Sequence, residues 1–307
     1  MVSIAITSPK SVLETTILPR CVRRQLWAGA TQGPLSDIYQ HTATVTSRHE
    51  RLALFGLVPG VLTAIALLPA GVTGSWILHV NAPSAQAVYL TNFVHSGWTH
   101  LAINAATYLV FMSTLLAVAV YAEIRHSLFA VTTVYIVVVP GIVSGYTLWL
   151  VSESGVNTVV GFSGVNAALL GYIPVLLFRF FHETVNAEIR PHHALGIVAV
   201  VLAVIFSMWS GVRGLTILLG GLGVVGVCLT WWLGRSEWGT ITTSTPRAML
   251  VWSATIVFLG GSYGMFVNTS PSTNIYGHLS GFVAGVAIPT LGSILMTGYQ
   301  SVIGFAE

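Results

Sequence analysis

The chain has 307 residues, of which 54% are apolar and only 7% are Asp, Glu, Lys or Arg. A soluble globular domain carries roughly 25% charged residues, so an ordinary soluble enzyme is excluded. The net charge of +3 comes from 12 Lys and Arg against 9 Asp and Glu, scattered with no basic block or basic-aromatic interleaving, which leaves nucleic-acid binding without support.

Residues 1–50 are mixed and moderately polar, with Pro19, Arg20, Arg23, Arg24 and Pro34, and lack the order of a secretory signal. They read as a cytoplasmic extension with one short helix and no legible function. Apolar runs follow at about 52–70, 98–121, 127–150, 159–181, 194–210, 213–234, 248–268 and 275–296. Runs of this kind suit the ~20 residues that cross a bilayer as a helix, and Gly and Pro interruptions are tolerated there. The expectation is an all-α polytopic membrane protein with about eight transmembrane helices, its membrane domain spanning 51–300 and a cytoplasmic tail 301–307. Runs 194–210 and 213–234 meet at Ser210-Gly211-Val212, as a tight hairpin or one broken helix. Cys21 lies in the polar segment and Cys228 within an apolar run, so no disulfide between them is expected.

Charge placement gives the topology, because short cytoplasmic loops hold the Lys and Arg. With the N-terminus inside, the inner segments hold Lys10, Arg20, Arg23, Arg24, Arg48, Arg51, Arg125, Arg179, Arg190, Arg235 and Arg247, and the outer loops only Arg213. This sidedness favours two helices over 194–234 and puts both termini in the cytoplasm. The outer loop 71–97 contains no Asp, Glu, Lys or Arg but carries Trp76, Tyr89 and Phe93, which suits half-immersion in the outer interface.

Polar groups inside spans are costly and each calls for a role. His100 and Asn104 are four residues apart and share a helix face, with His95 ahead of them. Ser163, in Gly161-Phe162-Ser163-Gly164, is expected about four residues inside its run, about 6 Å deep at 1.5 Å per residue. Taken alone, such a serine is more often packing glue. Gly277, Gly281 and Gly285 form a small-residue stripe beside His278, and Ser163, Ala167 and Gly171 are expected to form the matching stripe. Packing of the two would bring Ser163 to His278 on parallel helices. An imidazole beside a serine hydroxyl takes its proton during attack and then protonates the leaving amine, while His100, Asn104 and the Ser163 amide are candidate oxyanion donors. The only outer-side carboxylate is Glu153, so the reading is a Ser-His dyad. A zinc protease is disfavoured by the lack of H-E-x-x-H and of any intramembrane carboxylate. No metal or cofactor is implied.

The three motifs His95-x4-His100-x3-Asn104, Gly161-x-Ser163-Gly164 and Gly277-His278-x2-Gly281-x3-Gly285 resemble the signatures of rhomboid intramembrane serine proteases, in the family's order. The resemblance covers about 50–300. It implies a rhomboid-like helical bundle, Ser163 as nucleophile and His278 as general base. It further implies an oxyanion hole of His100, Asn104 and the Ser163 amide, with His95 supporting. The substrates it implies are transmembrane proteins cut near the outer face of the cell membrane. The family's basic core has six helices with one between the serine and histidine helices; here there are three, so two are extra, and 248–268 is expected to be the substrate gate. Ala167 stands where some members have an aromatic, and the Trp-Arg pair of some members is absent, Trp76 being followed by Ile77. The competing reading is an inactive rhomboid-like protein that binds transmembrane helices without cutting. A transporter would call for inverted repeats and midplane charges, and neither is present. Oligomeric state is not legible.

Overall fold

The computed structural model describes residues 33–151, 157–185, 188–209, 213–234, 245–269 and 273–304. Lys10, Arg20, Cys21, Arg23, Arg24, Glu153 and Arg235 lie outside them. Eight helices among the described residues are long and apolar enough to cross a membrane, and the protein is an all-α polytopic membrane protein.

Pro34 opens helix α1 (Pro34–Val45) in its first turn, where a missing N–H costs little. Ser47 and Glu50 then form a reciprocal capping box at 3.2 and 2.7 Å. The first span, α2 (Arg48–Ala66), therefore begins at Arg48 rather than 52. Arginines of two spans satisfy the free carbonyls at the end of α1: Arg51 Nη1 donates to Ala43 O at 2.7 Å and Arg125 Nη1 to Val45 O at 2.5 Å. The one helix expected in the N-terminal extension is thereby latched to the bundle.

The segment expected as an outer loop at 71–97 is ordered into α3 (Ala70–Gly74), β1 (Leu78–His79), α4 (Ala85–Leu90) and a 3-10 turn at Thr91–Phe93. Strand β1 pairs antiparallel with β2 (Thr158–Val159), Leu78 opposite Val159 and His79 opposite Thr158. The remaining spans are α5 (Trp98–Tyr121), α6 (Arg125–Val151), α7 (Ser163–Thr184), α8 (Ala194–Trp209), α9 (Arg213–Gly234), α10 (Thr245–Ser262, continued as a π-helical turn at Tyr263–Val267) and α11 (Ile275–Gly304). Helix α11 runs past the expected end at 296 and into the expected tail, continuing through Pro289.

Helix α7 is the axis of the fold: 94% of its apolar window is buried, against 11% for α9. Helices α8 and α9 form a peripheral hairpin packed mainly on itself, where Gly196 and Gly226 meet backbone to backbone. Helix α10 packs instead against α5 and α7, with Gly261 seated between Phe111 and Leu170. Of the three spans between α7 and α11, α10 is thus the one packed on both α5 and α7.

Two prolines inside helices explain two long-range tyrosine contacts. Pro140 cannot bond Ile136 O, four residues earlier, and Pro289 cannot bond Gly285 O. Tyr89 Oη donates to Ile136 O at 3.0 Å, and Tyr135 Oη donates to Gly285 O at 2.6 Å. Each freed carbonyl therefore becomes a docking point, for the outer segment on α6 and for α6 on α11. Asn92 adds to the first, donating to Pro140 O at 3.1 Å and Ser144 Oγ at 2.9 Å.

Candidate active site

Ser163 is the first residue of α7, not a residue one turn inside it. The expected helix start at 159 is overturned because Val159 is paired in β2 and Gly161 adopts φ +118°, which an L side chain rarely takes. Thr91 holds this turn: Gly161 N donates to Thr91 O at 3.1 Å, and Thr91 Oγ1 donates to Val159 O. At a helix N-terminus the first N–H groups have no carbonyl four residues earlier and the macrodipole is positive. The amides of Ser163 and Gly164 are therefore free to serve a developing negative charge. The Ser163 side chain is partly exposed.

The seam between α7 and α11 is built on backbone contact. A Cβ at Gly281 would collide with the Gly164 carbonyl oxygen, one at Gly285 with Ala168 O, and one at Gly171 with Phe282 O. The Gly164-Gly281 and Ala168-Gly285 contacts ascend together along both helices, which are therefore parallel. The expected stripe of Ser163, Ala167 and Gly171 is corrected to Gly164, Ala168 and Gly171. One residue turns a helix by about 100°, which takes Ser163 off the contact line and leaves its hydroxyl accessible. Gly164 is also walled by Val143 of α6, 2.7 Å from where a Cβ would sit. Gly277 does not join the seam; its neighbours are Asn274 and Val143.

Asn274 caps α11, its Oδ1 accepting from Gly277 N at 3.0 Å while its Nδ2 donates to Thr147 Oγ1 of α6 at 2.8 Å. One turn above Gly281, His278 is buried and its ring meets the edge of Phe266, centroids 6.4 Å apart. Its Nδ1 lies 3.0 Å from the carbonyl of Met265 in the π-helical end of α10. A carbonyl only accepts, so the neutral ring carries its proton on Nδ1 and keeps the Nε2 lone pair free. That carbonyl occupies the chemical position that a carboxylate holds in a triad, and no sequence motif marks it. No hydrogen bond joins Ser163 to His278 in this structure; catalytic contacts are often long before substrate binds.

His100 and Asn104 stand on the first turns of α5 and face the Gly161 turn. A Cβ at Gly161 would fall 2.7 and 2.8 Å from His100 Cε1 and Nε2, and 3.8 Å from Asn104 Nδ2. His100 stands over Gly161 and His278 one turn from the Gly164-Gly281 contact, so residues from α5, α7 and α11 converge at one end of the bundle. His95 sits beside them, its ring 5.1 Å from that of His100 in an edge-on arrangement. Neither His95 nitrogen makes a hydrogen bond of good geometry. Burial, then the neighbouring His100, pushes its pKa down to about 4, and the Phe93 backbone offsets only part of that. His95 is thus a neutral ring packed beside His100. Sequence reading missed Asn166, whose Nδ2 donates to Asn104 O at 2.9 Å and to Asn104 Oδ1 at 3.3 Å. It also missed the contact of Ser96 Oγ with His100 Nδ1 at 3.1 Å. Among the described residues no group of three or more His, Cys, Asp or Glu is placed to hold a metal ion.

The family model described as Rhomboid domain matches residues 84–236. That stretch contains His95, His100, Asn104, Gly161, Ser163 and Gly164 and ends before His278, Gly281 and Gly285. No curated protein and no solved structure matches the chain.

Proposed function

The chain belongs to the rhomboid family, and we propose that it is an intramembrane serine endopeptidase that cuts transmembrane proteins through an acyl-enzyme. Ser163 Oγ attacks the substrate carbonyl carbon while His278 Nε2 takes the hydroxyl proton. The tetrahedral oxyanion is held by the Ser163 amide with His100 Nε2–H and Asn104 Nδ2–H as further donors. Collapse breaks the C–N bond, and the His278 imidazolium gives its proton to the leaving amine. Water activated by the same imidazole then hydrolyses the ester and regenerates Ser163. His278 needs no carboxylate, since the Met265 carbonyl fixes its tautomer and remains an acceptor for the imidazolium.

The observation that carries the reading is the convergence on the free-amide end of α7: Ser163 at the helix tip, His100 over Gly161, and His278 one turn from the Gly164-Gly281 contact. Charge sidedness supports a cell-membrane location with cytoplasmic termini and a site toward the outer face. Helix α10, packed on α5 and bearing Met265, is the proposed substrate gate.

The test is labelling of the purified protein by a fluorophosphonate probe and cleavage of a transmembrane substrate, for wild type, Ser163→Ala and His278→Ala. Labelling and cleavage that vanish in both variants are expected. A wild type with neither is a helix-binding, non-cutting member of the family, and the peptidase reading is then wrong.

A further inference from the structure

We propose that Ser96 and Asn166 are positioning residues that decide which atoms of His100 and Asn104 face the substrate carbonyl. The proposal rests on the peptidase reading above and concerns the selectivity of its oxyanion donors. A neutral imidazole carries its proton on either nitrogen, and an amide presents either an oxygen or an NH2 group. Only one of each pair of states stabilises an oxyanion; the other aims a lone pair at it.

For His100 the two ring nitrogens have distinct surroundings. Nε2 stands over Gly161, on the side of the nucleophile, and Nδ1 stands 3.1 Å from Ser96 Oγ. A hydroxyl can donate or accept; we assign Ser96 Oγ as the donor to Nδ1, which leaves the ring proton on Nε2, where it points into the site. Ser96 is exposed and lies four residues before His100, just ahead of α5. Without its hydroxyl, the tautomer with the proton on Nδ1 competes.

For Asn104 the lock is two-sided. Its Nδ2 donates to His100 O at 3.1 Å and its Oδ1 accepts from Asn166 Nδ2 at 3.3 Å. Flipping Asn104 would set oxygen against the His100 carbonyl and NH2 against NH2. Flipping Asn166 would set its oxygen against Asn104 O, now 2.9 Å from Nδ2. Asn166 is fully buried, so water cannot substitute for it. It sits three residues after Ser163, so the nucleophile's own helix aims one of the oxyanion donors. Its Oδ1 is buried without a partner, an arrangement that costs stability. A purely structural site would be better served by an apolar side chain of similar size, and this sets the role of Asn166 apart from packing.

The experiment uses the full chain in lipid nanodiscs, with kcat and KM for a transmembrane substrate, thermal midpoints and 15N spectra of labelled histidines. Ser96→Ala and Asn166→Val are each expected to lower kcat about tenfold with KM within about twofold, a fraction of the ~10²–10³ lost with a whole oxyanion donor. Asn166→Val should keep or raise the thermal midpoint, and Ser96→Thr should restore kcat. Ser96→Ala should add no loss in a His100→Ala background, and Asn166→Val none in an Asn104→Ala background. Additive losses, a change in KM alone, or unchanged kcat overturn the proposal. Should wild type show no Ser163-dependent turnover, the peptidase reading fails on that result. The His100 ring-nitrogen shifts still decide the positioning: a proton on Nε2 that Ser96→Ala displaces supports it, and an unchanged spectrum refutes it.

Discussion

Replacing Gly161 by alanine tests the geometry of the site at its tightest point. The perturbation has two parts. At φ +118° a Cβ is strained, at a cost of order 1–3 kcal/mol. The same Cβ falls 2.7 Å from His100 Cε1 and 2.8 Å from Nε2, where nonbonded carbon contacts settle at about 3.5–4.0 Å. The imidazole or the turn must therefore yield by about 1 Å, and a misplacement of that size costs on the order of 10²-fold in rate. The assay is the second-order rate of fluorophosphonate labelling at Ser163, beside the thermal midpoint of the same preparation. We expect labelling to fall by about two orders of magnitude while the midpoint drops by only a few degrees. A Gly161→Ala protein labelled within threefold of wild type would refute the reasoning, because it would mean that neither the Gly161 conformation nor the seat of His100 matters to the site.

Further outcomes follow from the packing and the buried groups. Gly281→Ala, which drives a Cβ into the Gly164 carbonyl, should destabilise the fold by more than the usual ~1–3 kcal/mol of overpacking, since backbone cannot rotate away; Gly60→Ala, with nothing within 4 Å, should leave the thermal midpoint unchanged or raise it. Tyr135→Phe should cost about 1–3 kcal/mol by orphaning the Gly285 carbonyl, and that cost should shrink in a Pro289→Ala background, where an N–H again reaches that carbonyl. His95, whose pKa falls from its ordinary 6.5 to about 4, takes up a proton more readily when unfolded, so its contribution is whole above pH 6.5 and is lost as the pH falls to 4. Because the ring is partly exposed, the loss is on the order of 2 kcal/mol. His95→Gln should flatten the midpoint-versus-pH curve between those values, and an unchanged slope would count against a neutral His95.

Hydropathy and charge placed all eight spans within a few residues, because a bilayer imposes length and apolarity on each helix separately. The residues of the candidate site were legible for a similar reason: Ser163, His278, His100 and Asn104 are polar groups where polarity is costly. Registration was less legible. The seam was expected one residue early, at Ser163 and Ala167, because small side chains at 163, 164, 167 and 168 are equivalent in composition. Only the meeting of Gly164 with Gly281 distinguishes them.

The amino-acid sequence by itself determined the class of the molecule, the parity that makes α7 and α11 parallel, and the polar side chains available for chemistry. These depend on composition along one chain segment at a time. Tertiary structure alone decided that α7 begins at Ser163, that the Met265 carbonyl orients His278, and that Ser96 and Asn166 hold His100 and Asn104. It also decided that tyrosines serve the carbonyls freed by Pro140 and Pro289. Each of these is a choice of partner made by backbone groups or by side chains with two equivalent faces. Every residue carries the same backbone donor and acceptor, so the choice becomes defined only when the helices pack.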